Sequence, residues 1–283
     1  MIRFSNIIKS YGFDLNSSFR MVRHKSSDHP IEKLIDNDLF EQYQCVNRKD
    51  RFECDFVISF VGKESTKAMF LGIYKVNGKI KADKANLTEE YKNEFLLDDF
   101  KLKNFYYYLL EKQTGYEDLE GRVIIDWGEG TRAWVQKECD KEVIEIKPKG
   151  FVDDFPGYLD FVLSFKKLEQ IINNPDANNV WKNKLSSVYG IYLILDKKTG
   201  KQYIGSASGK EGIWGRWKTY APHGHGGNKL LIDLLENNND YVLNFQWSIL
   251  QTLPSNLTKK EVDSYETKYK KKLGSKVFGL NSN

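Results

Sequence analysis

The chain has 283 residues, 40% hydrophobic and 29% charged, with a net charge of +4. That is the composition of a folded globular protein, and the length exceeds one typical core, so two domains are expected. No apolar run reaches the ~18 residues of a membrane span, and MIRFSNIIKS lacks the apolar stretch of a secretory leader, so no membrane partner is expected.

In chain order, the first 175 residues read as mainly β with some helix. CDFVISFVG (54–62), AMFLGIYKV (68–76), GRVIIDW (121–127) and KEVIEIK (141–147) are strand-like by their β-branched and aromatic content. TEEYKNEFLLDDF (88–100) and LDFVLSFKKLEQII (159–172) have helical patterns. Cys45, Cys54 and Cys139, an odd number without CxxC spacing, read as buried or free thiols in a reducing cytoplasm. Asp126, Glu145 and Lys147 form a D…ExK pattern used for metal by one nuclease class, but its spacing is permissive and a strand-borne EIK is common, so it is read as a chance match. Trp127 and Trp134 flank the same loop and could stack an unpaired base or pack in a core.

NNPDANNV (173–180), rich in turn formers, is the expected joint between domains 1–175 and 176–283. Charge changes across it: 27 Lys+Arg against 30 Asp+Glu before, 16 against 9 after. A basic C-terminal module suits contact with nucleic acid.

After the joint, VYGIYLIL (188–195) and KQYIG (201–205) read as strands of a hairpin, followed by helix GIWGRWKTYA (212–221), helix GNKLLIDLLENN (227–238) and strand VLNFQWSIL (242–250). TKKEVDSYETKYKKKLG (258–274) is a helix with a Thr258/Glu261 capping box and Gly274 as stop. The overall class is α+β. A four-residue loop from Leu195 to Gly200 would set Tyr192 directly opposite Tyr203, on one face. Arg216 borders the stripe of Ile213, Trp217 and Tyr220. Glu266 lies inside the stripe Val262, Tyr265, Tyr269 and Leu273, where a carboxylate needs a cation: Arg216 or a divalent metal. Two phenols, an arginine and a glutamate suit phosphodiester hydrolysis, which needs an activated water, a clamp on phosphate charge and help for the leaving oxygen. In HGHGGNK (223–229), His223 and His225 make a weak metal pair. With Asn228, Lys229 and nearby Lys218 they read as DNA-contacting.

Residues 188–283 resemble a GIY-YIG nuclease domain. The two triplets are Gly190-Ile191-Tyr192 and Tyr203-Ile204-Gly205, the helix arginine falls on Arg216, the metal-binding glutamate on Glu266 and the late asparagine on Asn281. Where some members carry histidine four residues after the arginine, this chain has Tyr220. A second GIY at Gly72-Ile73-Tyr74 has nothing in register downstream. The resemblance implies a small central three-stranded antiparallel sheet and cleavage of DNA dependent on Mg²⁺ or Mn²⁺. Tyr192, Tyr203, Arg216, Tyr220, Glu266 and Asn281 are then the catalytic set, Glu266 the metal ligand, and Tyr203 the preferred general base with Tyr192 its rival. The leading expectation is a restriction or anti-phage enzyme in which domain 1–175 recognises the target or is accessory; a repair or mobile-element nuclease and a non-catalytic DNA binder are the alternatives, and a homodimer would suit cutting both strands.

Overall fold

The structure, a computed structural model, describes the chain outside residues 26–30, 38, 96–98, 131, 237–238 and 282–283. It divides into two compact units, Met1–Lys147 and Pro148–Asn283. Both are mixtures of helix and mainly antiparallel sheet, so the class is α+β.

The first unit has strands β1 (Phe19–His24), β2 (Val46–Asn47), β3 (Phe56–Gly62), β4 (Lys67–Lys81), β5 (Tyr106–Lys112), β6 (Val123–Asp126), β7 (Val135–Gln136) and β8 (Val143–Ile146). Its helices are α1 (Phe4–Ser10), α2 (Ile31–Asp36), α3 (Phe40–Cys45), α4 (Glu89–Glu94) and α5 (Asp99–Lys103). The strands run β2-β5-β4-β3-β1-β7, with β6 on β4 and β8 on β6. β1 and β3 are parallel and every other pair is antiparallel. All four strands read from sequence are present. The helix expected over 88–100 is instead a short α4 and a start of α5, and residues 96–98 between them lie outside the described residues. Thr88 caps α4 by accepting from the Tyr91 amide.

The second unit has β9 (Leu163–Ser164), β10 (Tyr189–Asp196), β11 (Gln202–Ala207) and β12 (Phe245–Leu253), with α6 (Phe165–Asn173), α7 (Asn179–Ser186), α8 (Gly212–Trp217), α9 (Lys229–Leu235) and α10 (Lys259–Leu273). The antiparallel order is β11-β10-β12-β9, the expected three strands plus a two-residue fourth. Strand alternation gives the sheet two cores. Tyr192 and Ile194 face α6, α7, α8 and α9 with Trp181, Trp217 and Trp247, while Ile191 and Ile204 face α10 through Val262.

The domain boundary differs from the expected 175/176. Leu163, Phe165, Leu168 and Ile171 belong to the same buried cluster as Tyr192 and Trp247, so burial ties 148–175 to the second unit. The turn-rich NNPDANNV is not a linker. Asn178 is buried, its carbonyl accepting from Val152 N–H (3.0 Å) and its amide donating to the carbonyls of Gly150 (2.8 Å) and Asn174 (3.0 Å). Re-divided there, the first unit carries 24 Lys+Arg against 26 Asp+Glu and the second 19 against 13, so the charge contrast remains.

Candidate active site

The hairpin that begins the site has a different register from the one expected. Tyr192 pairs with Gly205, and Tyr203 with Ile194. The loop is Lys197–Gly200, because Asp196 stays in the strand. Its buried carboxylate caps the turn, accepting from Lys198 N–H (3.0 Å) and the Thr199 hydroxyl, and also from Tyr241 OH (2.9 Å). The slip is of two residues, so side-chain parity is kept and both tyrosines still share a face, diagonally. The register explains the glycine of the second triplet: a Cβ on Gly205 would collide with the hydroxyl end of the Tyr192 side chain.

Three phenols, one guanidinium and one amide form a single hydrogen-bonded cluster on this face. Arg216, on α8, donates from Nε to Tyr192 OH (3.0 Å) and from Nη2 to Tyr220 OH (3.2 Å). Its Nη1 donates to the Gly226 carbonyl (3.3 Å), and the guanidinium lies 5.0 Å from the Tyr220 ring centre. The Tyr192 and Tyr220 hydroxyls are 2.9 Å apart. Asn228 links the third: its carbonyl accepts from Tyr203 OH (2.7 Å) and its amide donates to Tyr220 OH (2.9 Å). This amide stands at the start of α9 without capping it, its hydrogen bonds being made to the two phenols and to the His225 carbonyl (2.9 Å). Tyr192 and Tyr220 are fully buried, whereas Tyr203 retains 8% exposure.

Burial pushes all three phenol pKa values up, and the nearby Arg216 charge pulls each back only in part. On Tyr203 the Glu266 charge adds to the rise. The phenols are therefore neutral near pH 7. The same three phenols raise the Arg216 pKa against the effect of its burial, so it stays a cation.

Glu266 sits on α10, on the opposite face of the sheet. Its expected cation, Arg216, is not its partner. One turn along the helix, Lys270 Nζ lies 2.7 Å from Glu266 Oε1, and the Ser206 hydroxyl donates to Oε2. Burial follows: Lys270 takes the place on the apolar stripe that was expected for Leu273, which is exposed. Ser206 connects the faces. It and Arg216 border one cleft of about 410 Å³, completed by Ser208, Gly209, Gly215 and Thr219. As a cation site, Glu266 and Ser206 offer hard oxygen donors, and a single carboxylate fits an ion that keeps several waters. Lys270 already neutralises that carboxylate, so a divalent ion competes with it. No group of three or more His, Cys, Asp or Glu positioned for metal occurs among the described residues.

The remaining expected residues are placed as follows. Asn281 is buried away from the cluster, accepting from Ile204 N–H (2.9 Å) and donating to Ile204 C=O (2.8 Å), so it pairs the outer edge of β11 rather than facing the cleft. His223 and His225 stack on each other, centroids 3.5 Å apart. Each Nδ1 accepts a backbone N–H, from His225 (3.4 Å) and Gly227 (3.0 Å) respectively, which shapes the glycine loop instead of forming a metal pair. Burial and His223 lower the His225 pKa. Lys229 is exposed at the start of α9, and Lys218 is exposed 3.4 Å from Glu211. In the first unit, Glu145 pairs with Lys147 (3.0 Å) and Asp126 accepts from Gly128 N–H (2.9 Å), and they form no metal cluster among the described residues. Trp127 is core, whereas Trp134 is half-buried. Sequence reasoning missed Ser206 and Lys270. The second was signalled by its i,i+4 spacing from Glu266.

No family model and no curated protein matches the chain. Two solved structures do. A mutant of the catalytic domain of intron endonuclease I-TevI is 27% identical over 34% of this chain and 94% of its own, with a TM-score of 0.27. The catalytic domain of homing endonuclease I-TevI is 29% identical over 33% and 96%, with a TM-score of 0.26.

Proposed function

We propose that the chain is a DNA endonuclease hydrolysing phosphodiester bonds, with its active cleft beside β11 of the second unit. The observation that carries this reading is the buried Tyr192–Arg216–Tyr220–Asn228–Tyr203 cluster opening, through Arg216, on a cleft bordered by Ser206, whose hydroxyl donates to Glu266. Arg216 is held rigidly by the phenols and keeps its charge, so it clamps the negative charge of the phosphoryl transition state. Tyr203, the least buried phenol, donates a hydrogen bond to Asn228 Oδ1 and keeps oxygen lone pairs for a water; on ionising it releases its proton to solvent. Once ionised, its oxygen takes the proton of that water as the water oxygen bonds to phosphorus and the ester P–O bond breaks. The leaving oxygen is protonated from solvent. Mg²⁺ or Mn²⁺ held by Glu266, when bound, supplies charge neutralisation at phosphate and leaving oxygen.

The role we assign is restriction or anti-phage defence, the first unit choosing the target and the basic second unit gripping phosphates. The test is cleavage of plain and base-modified phage DNA by the full chain with Mg²⁺. Arg216→Ala and Glu266→Gln should lose cleavage by at least about 10²-fold while DNA binding persists. Asp126→Ala should cut normally. Undiminished cutting by Arg216→Ala, or in excess EDTA, would overturn the assignment.

A further inference from the structure

The first unit holds a cavity of about 500 Å³, well apart in sequence from the cluster above and unused by it. Arg23, His24, Tyr43, Phe52, Arg132 and Trp134 are among its walls. Its construction follows from β1. Alternation puts Val22 and His24 on one face of that strand. The two-residue β7 pairs with β1, and Arg23 N–H bonds the Trp134 carbonyl (2.8 Å), which fixes Trp134 at the cavity. Arg51 lies over the Trp134 ring, 5.3 Å from its centre. The edges of Phe40 and Tyr43 hold the His24 ring at 5.1 and 5.5 Å.

Among the described residues, two polar atoms of these lining side chains have no hydrogen-bond partner although both residues are more than nine-tenths buried: His24 Nε2 and Arg23 Nε. The Arg23 Nη2 donates to the carbonyls of Lys63, Ser65 and Lys67 at 3.1–3.2 Å. Burial holds the His24 pKa down to about 3, so its ring is neutral and can accept or donate. Unpaired buried polar atoms are costly and rare, and both belong to residues that line the cavity. A flat aromatic surface, a neutral heteroaromatic edge and guanidinium charge together match one ligand chemistry: a flat base bearing polar edges, attached to a phosphate.

We propose that this cavity binds a single nucleotide through its base, taken out of the DNA stack. The base lies against Trp134 and sets its polar edge toward His24, while Arg132 and Lys25 meet its phosphate. The site is independent of the nuclease cleft and would let the first unit recognise a base identity or modification.

The experiment is calorimetric titration of the full chain with the four deoxynucleoside 5′-monophosphates, 5-methyl- and 5-hydroxymethyl-dCMP, the matching nucleosides and inorganic phosphate. At least one nucleotide and its nucleoside should bind saturably at one site. Trp134→Ala should weaken both by about tenfold or more. His24→Phe, which keeps the ring and removes the orphan nitrogen, should weaken both without lowering the melting temperature. Arg132→Ala should weaken the nucleotide and leave the nucleoside unchanged. Three results overturn the proposal: no saturable binding by any nucleotide, inorganic phosphate binding as tightly as the nucleotide, or nucleoside binding untouched by both Trp134→Ala and His24→Phe. None of these bears on DNA cleavage, so this reading and the nuclease reading stand or fall separately.

Discussion

Arg216 meets two phenol oxygens and a carbonyl at once, and that arrangement decides what each neighbouring residue can do. Because burial raises the Tyr203 pKa, its ionised fraction grows with pH across the whole neutral and mildly alkaline range. The cleavage rate should therefore climb with pH without a plateau below about pH 10, the ordinary phenol value. Tyr203→Phe should remove that climb, and Tyr192→Phe should lower the rate without removing it. A plateau near pH 7 in the wild type would exclude a phenol as base. The same shifts affect stability. Folded-state pKa values raised above the unfolded value mean that stability is fully present below about pH 10. It is lost above it, as unfolded chains ionise and folded ones do not. Urea midpoints measured from pH 8 to 11 should fall, and Tyr220→Phe should make the fall shallower by one proton. Asn281 belongs to a different class. Asn281→Ala leaves both backbone groups of Ile204 unpaired, and should cost about 1–3 kcal/mol in urea unfolding.

Among the elements, α10 was the most legible, since its capping box and left-handed Gly274 (φ +63°) are local chemistry written in adjacent residues. Thr258→Ala should lower stability by about 1 kcal/mol, read as a shift in the urea midpoint at constant slope. The hairpin was legible in its parity but not its register. Which residue closes a turn depends on side chains such as that of Asp196, whose third partner, Tyr241, is 45 residues distant. Gly205 has no signal beyond its place in the triplet until Tyr192 is seen to cover it. Gly205→Ala should overpack that contact and cost about 1–3 kcal/mol, with the Tyr192 ring displaced from Arg216. Of the two cations expected beside Glu266, Arg216 is not its partner, and the neighbour one helical turn away, Lys270, was overlooked.

For the whole molecule, the boundary at Lys147/Pro148 was hidden by a turn-rich segment whose Asn178 is tied into a buried network rather than into solvent. Turn formers mark where a chain bends, not where a core ends. A fragment beginning at residue 148 should unfold cooperatively. One beginning at 176 lacks Phe155 and Phe161, whose rings sit 4.9 and 4.8 Å from Trp181, and Phe165, at 5.8 Å from Trp247. That shorter fragment should bind a hydrophobic dye and melt without a sharp transition; equal melting curves for the two would refute the division. β11 is the outermost strand of its sheet, and its outward groups are met by the last described residues: Leu280 N–H donates to the Gln202 carbonyl (2.8 Å), and the Asn281 side chain pairs Ile204. Those two residues act as a selvedge, closing a strand that would otherwise offer its hydrogen bonds to any passing chain. A protease that clipped the chain after Gly279 would leave the phenol cluster's own residues intact while turning β11 into a template on which molecules could zip together, so loss of the tail should be seen first as self-association, before any loss of catalytic groups.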